Sequence, residues 1–98
     1  GHVFWRPNAP SWSVSGYYGR VFKGRTDREW IREFGAQLGR RGWSVGKGKT
    51  YLRRHGNDGL FGDEYEMLVR AFQRSQGLAV DGRVGPDTWN EAFHRPVT

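Results

Sequence analysis

Residues 58–65 read DGLFGDEY and residues 81–89 read DGRVGPDTW. The unit Asp-Gly-x-apolar-Gly therefore occurs twice, 23 positions apart, each time directly before a helix-like run. Two glycines per unit allow a sharp turn, because glycine alone enters positive φ without steric cost. Phe61 and Val84, between the glycines, can plug a core, and the carboxylates of Asp58 and Asp81 can accept backbone N–H groups of their own loops. None of this needs a ligand. A calcium loop would need alternating oxygen ligands and a bidentate acid at fixed spacing, which neither unit supplies. Asp58, Gly59, Gly62, Asp81, Gly82 and Gly85 are thus expected to be structural turn residues, with no metal and no cofactor.

The flanking runs read as three helices. After the first unit, Tyr65, Leu68, Val69 and Phe72 lie at i, i+3, i+4 and i+7, so residues 63–76 form an amphipathic helix. Asp63, Glu64 and Glu66 lie in its first turn and Arg70 and Arg74 later, as the helix dipole prefers. Gly77 ends it. After the second unit, Pro86 suits a first helical position, and Trp89, Ala92 and Phe93 follow on the inward side. Upstream, Thr26 and Glu29 have capping-box spacing, and Trp30, Ile31, Phe34 and Leu38 form one stripe, so a helix is expected over 27–41. No convincing strand pattern remains. The expected fold is all-α, a small three-helix bundle with an irregular aromatic-rich extension before it.

The composition fits one small domain. Of 98 residues 15% are aromatic and 15 are Gly, so a few large side chains joined by tight turns must do most of the burying. There is no Cys, which removes disulfides and Cys-based zinc sites. No run is apolar enough to span a bilayer, so membrane insertion is not expected. The single Met is Met67, so the chain reads as a fragment or processed piece, and Gly1-His2 is compatible with a cloning scar. Residues 3–24 hold several aromatics but no sustained period, and part of the segment is expected to fold back onto the domain. The divisions read from the sequence are 1–25 as extension or linker, 26–94 as the domain and 95–98 as a tail.

The formal charge of +6 is uneven. Residues 20–54 hold eleven Arg or Lys against three acids, whereas residues 55–98 hold four Arg against seven acids. A basic front half favours an anionic partner such as nucleic acid, a wall polymer, a membrane surface or free carboxylates.

Phe72-Gln73, Gly77-Leu78, Asp81-Gly82, Val84-Gly85 and Thr88-Trp89 complete the pattern F-Q-x-x-x-G-L-x-x-D-G-x-V-G-x-x-T-W without a gap. This resembles the type 1 peptidoglycan-binding domain, a three-helix module of bacterial cell-wall hydrolases and phage endolysins. The resemblance runs over roughly 26–94, through Asp58-Gly59-Leu60-Phe61-Gly62 and, less closely, Leu38-x-x-x-Gly42-Trp43. The chain departs from the pattern in four places: Gly35 stands where Gln is usual, and Tyr65 where Thr is common. The connection from Trp43 to Asp58 is longer and more basic, and residues 1–25 have no counterpart.

What the resemblance implies is a non-catalytic, monomeric module that binds peptidoglycan and anchors a linked hydrolase, more in the manner of a phage endolysin than of a host enzyme. It would act at the bacterial wall, outside the cytoplasm; an endolysin would be made in the host cytoplasm and released at lysis. Stem-peptide carboxylates call for Arg, sugar faces for aromatic rings, and amides for Gln. Trp43, Tyr51, Arg53, Arg54, Tyr65, Arg70 and Gln73 are such groups near the expected groove between helices, and the extra basic length suits anionic wall polymers. Each also has a plainer reading: Trp43 and Tyr65 as core or rim, Gln73 bonded to the neighbouring loop, Arg70 as a solvated helix residue, Arg53 and Arg54 in a mobile loop.

Rival chemistries fit less well. Gly48-Lys49-Thr50 ends like a phosphate-binding loop, but Trp43 stands where its first Gly belongs. His2, His55 and His94 are scattered, and no nucleophile–base pattern appears, so catalysis is not expected. Two other readings remain: a basic nucleic-acid binder using residues 20–54, which lacks any known motif, and a protein-docking domain presenting its N-terminal aromatics as one exposed patch.

Overall fold

The computed structural model describes residues 3–9, 16–17 and 19–96. In chain order they form a hairpin, β1 (Val21–Phe22) and β2 (Arg25–Thr26), then α1 (Asp27–Arg40), α2 (Asp63–Gln76) and α3 (Pro86–His94). The chain is mostly helical: three helices and a tiny two-stranded hairpin packed into an aromatic-rich globule. The helix boundaries follow the sequence pattern, with α1 one residue shorter than its apolar period suggests. The hairpin is absent from that pattern. Two-residue strands are too short to register an alternation of apolar and polar residues, and the turn between them, Lys23-Gly24, holds both φ angles positive at 52° and 75°.

Thr26 closes the hairpin and caps α1. Its Oγ1 accepts from the Glu29 backbone N–H and donates to Glu29 Oε1, each at 3.3 Å. The hairpin is pinned on α1 by Trp30 Nε1 donating to Phe22 O at 3.0 Å and by the Asp27 N–H donating to Arg20 O at 2.8 Å. At the far end of α1, Gln37 Nε2 donates to Ala92 O at 2.9 Å, which fastens α1 to α3.

The two Asp-Gly loops are equivalent in structure. Asp58 Oδ1 accepts from the Leu60 N–H at 3.1 Å, and Asp81 Oδ1 accepts from the Arg83 N–H at 2.9 Å. Phe61 and Val84 are buried, and Gly62 and Gly85 stand extended at the starts of α2 and α3. In each loop the glycine after Asp adopts positive φ and lies against the helix before it. A Cβ on Gly59 would sit 2.5 Å from Arg28 O on α1, and one on Gly82 would sit 2.8 Å from Glu66 Cγ on α2. The repeat is therefore a helix-to-helix joint used twice.

Each joint has its own strut. On α2, the buried Gln73 donates through Nε2 to Asp81 Oδ1, Arg83 O and Thr88 Oγ1 at 2.9–3.0 Å, while Oε1 accepts from the N–H groups of Asp81 and Gly82. Burial pushes the Asp81 carboxyl up, but hydrogen bonds from the Arg83 N–H and the Gln73 amide outweigh it and hold the group below its usual value. On α1 the corresponding position is Gly35, and a Cβ there would collide with the Asn57 side chain. Asn57 Nδ2 reaches back to Arg32 O at 2.9 Å. The strut of the first joint comes from the loop to the helix, and Gly35 leaves room for it.

The core is a set of rings around Phe34, with Tyr65, Phe72, Trp89 and Phe93 all at centroid distances of 6.1–6.5 Å. Phe4 completes it from the N-terminal segment. It is 1% exposed and meets Phe34, Phe61 and Trp89 edge to face at 5.8–6.5 Å. Its backbone pairs in parallel with Val84, Val84 N–H donating to Val3 O at 2.9 Å and Trp5 N–H to Val84 O at 2.6 Å. Two residues on, Arg6 forms a buried ion pair with Asp27 at 3.7 Å. Burial lowers the Arg6 guanidinium below its usual range, and Asp27 opposes that shift.

Candidate functional site

The long basic connection between α1 and α2 is a built loop. Val45 bridges Tyr51 in parallel, Gly46 N–H donates to Tyr51 O at 2.9 Å, and Tyr51 N–H donates to Ser44 O at 2.9 Å. Gly48 N–H donates to Arg53 O at 3.0 Å and Gly56 N–H to Leu52 O at 2.8 Å. Leu52 plugs the loop into the core at 2% exposure, with φ at 56°. A left-handed non-glycine residue costs about 1–2 kcal/mol, and burying a leucine side chain gains about 1.5–3 kcal/mol, so the plug holds. The first turn of α2 closes the loop from the other side. Glu64 Oε1 accepts from the Arg54 N–H at 2.7 Å and Oε2 from the His55 N–H at 3.4 Å.

This arrangement sorts the sequence candidates. Trp43 and Tyr51 are half-buried and form one aromatic step, with ring centroids 5.6 Å apart and Trp43 resting on Phe72 at 5.8 Å. Arg53 and Arg54 are exposed on a backbone that the hydrogen bonds above hold in place. These four residues belong to one loop. The other three are engaged in holding the fold. Tyr65 is buried, its hydroxyl donating to Ile31 O at 2.8 Å, and burial raises its pKa well above the usual phenol value. That bond accounts for a tyrosine where the resembled pattern commonly has threonine: the longer side chain reaches α1. Gln73 is buried with its amide filled at both ends, as described above. Arg70 donates through Nε to Glu66 Oε2 at 3.0 Å and through Nη1 to Val80 O at 3.4 Å, bracing the second joint.

Beside the loop lies a cavity of about 340 Å³. Leu52, Leu60 and Tyr65 give it an apolar lining, Arg54 and His55 border it from the basic loop, and Asp58, Asp63 and Glu64 from the first joint and α2. Tyr17 of the N-terminal segment also lines it. The sequence pattern missed this grouping because Asp63 and Glu64 are fully explained there by the helix dipole. The available signal was the succession of Arg53-Arg54-His55 and Asp58, Asp63, Glu64 within twelve residues. Nothing local announced Tyr17, which fold geometry alone brings over.

Among the described residues no group of three or more His, Cys, Asp or Glu is placed to hold a metal ion, and no helix is long and apolar enough to cross a membrane. The described N-terminal aromatics do not form one exposed patch: Phe4 is buried, Trp5 and Phe22 pack partly against the core, and Tyr17 is exposed. Trp12 and Tyr18 lie outside the described residues.

A search of curated proteins and one of solved structures return no match. A family model for a peptidoglycan binding domain matches residues 41–91, just over half of the chain, spanning the basic loop, both Asp-Gly joints, α2 and the start of α3. Only a binding domain is detected in the chain. With the joints, the Gln73 strut and the three helices in place around that span, the chain belongs to the peptidoglycan-binding domain family.

Proposed function

We propose that this domain anchors a linked peptidoglycan hydrolase, a phage endolysin in the first instance, to the bacterial wall without taking part in the chemistry. The observation that carries the reading is a basic loop fixed beside the Trp43–Tyr51 step in a chain of this family. Weak binding to a repeating polymer raises the local concentration of a tethered catalytic domain at its substrate. Trp43 and Tyr51 are suited to lie against a sugar or lactyl face, and Arg53 and Arg54 to pair with stem-peptide carboxylates or anionic wall polymers. Tyr65, Arg70 and Gln73 support that surface from within. The domain works as a monomer, outside the cytoplasm, and needs no cofactor.

Pelleting the domain with purified peptidoglycans of defined stem type, with and without their accessory polymers and at two salt concentrations, tests the reading. Retention on at least one peptidoglycan is expected, weakened by Trp43→Ala and by Arg53→Gln with Arg54→Gln. Loss of binding on removal of the accessory polymer alone would move the target to that polymer. No retention on any wall, with steeply salt-dependent binding to DNA instead, would end the proposal in favour of nucleic acid.

A further inference from the structure

We infer that the cavity beside the basic loop takes an aliphatic primary amine of a stem peptide, its ammonium held by Asp58 and Asp63 and an adjoining carboxylate by Arg54. The inference rests on the wall-binding reading above and names the group that is gripped. Its starting point is a mismatch of charge. The chain carries +6 and residues 20–54 are its most basic stretch, yet the cavity at the end of that stretch has three carboxylates against one guanidinium and one imidazole.

The carboxylates differ in what they already do. Glu64 is engaged with two backbone N–H groups of the loop. Asp58 holds its own turn through Oδ1 and is thereby fixed in position. Among the described residues, neither the Asp63 carboxylate nor the Arg54 guanidinium makes a hydrogen bond or ion pair, so opposite charges border one cavity without closing on each other. The buried Leu52 and Tyr65 offer an apolar floor for methylene groups. A volume of about 340 Å³ is at the small end of the ~300–1,000 Å³ that ligand pockets span, which suits one side chain with its charged end. Tyr17 and residues 52–56 belong to segments in which this chain departs from the family pattern, so the preference would be its own.

Chemical acetylation of the wall separates this from bulk attraction. It removes positive charge from peptidoglycan, so a basic domain held by net charge alone binds the acetylated wall more tightly. A domain that grips an ammonium binds it less tightly. We expect roughly tenfold weaker pelleting on the acetylated wall, the size of one charge-assisted hydrogen bond. Asp63→Asn should bind the untreated wall about as weakly and no longer distinguish the two. Asp87→Asn makes the same charge change in the first turn of α3 and should keep the discrimination, with circular dichroism confirming that both variants are folded.

Peptidoglycan stripped of its stem peptides by an amidase tells peptide amines from unacetylated amino sugars, and on it the unchanged domain and Asp63→Asn should bind equally. Equal or tighter binding to the acetylated wall overturns the inference while leaving the wall-binding reading intact, as does an Asp63→Asn variant that behaves like Asp87→Asn. A stripped glycan that the unchanged domain still binds more tightly than Asp63→Asn does overturns the peptide assignment. Absence of pelleting on the untreated wall removes the wall-binding reading itself.

Discussion

Phe4→Ala should be among the most damaging single substitutions in the chain, although Phe4 lies 37 residues before the span that the family model matches. The ring is 1% exposed and touches Phe34 of α1, the Phe61 plug and Trp89 of α3, so one side chain joins three parts of the fold. Burial of about 150–250 Å² of ring at about 25 cal/mol per Å² is worth roughly 4–6 kcal/mol as an upper bound. Core Phe-to-Ala changes cost about 3–5 kcal/mol, and that is the loss expected here. A domain of this length has about 5–15 kcal/mol in all, so roughly a fifth or more would go. Urea unfolding followed by tryptophan fluorescence suits the measurement, since Trp89 lies 5.8 Å from the deleted ring. With a urea slope of about 1–3 kcal/mol per M, the midpoint should fall by roughly 2 M. The half-buried neighbour Trp5 is the comparison, and Trp5→Ala should cost clearly less. A loss below about 1 kcal/mol for Phe4→Ala, at unchanged slope, would refute the reasoning. It would mean that the helices close their core without the N-terminal segment.

Gln73→Leu keeps the volume but strands the N–H groups of Asp81 and Gly82, so it should cost about 2–4 kcal/mol and abolish hydrogen-exchange protection at Gly82. Gly59→Ala should cost more than Gly82→Ala in thermal melts. Both positions have positive φ, but the added methyl meets backbone at Arg28 O in the first case and yielding side-chain atoms of Glu66 and Arg70 in the second. The buried Tyr65 keeps its proton in the folded chain beyond the pH near 10 at which the unfolded chain loses it. Its contribution is therefore complete below about pH 10 and falls as pH rises further, by up to about 1.4 kcal/mol per unit. In paired denaturation series between pH 9 and 11.5, Tyr65→Phe should decline less steeply; parallel curves would refute the assignment.

How much of this could be read in the sequence depends on how local the cause is. The bounds of α2 agree to the residue because its apolar period, first-turn acids and terminal glycine all act within one segment. The hairpin was invisible because its cause, a two-residue turn pinned by Trp30 and Asp27 of α1, involves too few residues to leave a period. Phe4 was illegible in detail because its partner Val84 stands eighty positions away and the pairing is through backbone. The basic loop reads as polar, glycine-rich and open. What fixes it is Leu52 in a conformation unusual for leucine and a glutamate whose position at a helix start already has a sufficient explanation.

The two joints favour placing the proposed binding chemistry in the departures from the family pattern. In the second joint, Asp81, Gly82 and Gln73 are committed to one another, and any ligand that drew on them would have to break bonds that hold α3 on α2. In the first, Gly59 lies against the α1 backbone and Arg28 donates twice to Asp58 O, at 2.9 and 3.1 Å, which leaves only the Asp58 carboxylate facing outward duties. Positions so occupied are free to recur but not to adapt. The lengthened loop carries no such constraint: its backbone is satisfied internally and by Glu64, so the side chains of Arg53, Arg54 and His55 can change without loosening a helix. A scaffold of this kind lets wall specificity change through exposed side chains while the repeated turn keeps the three helices in register.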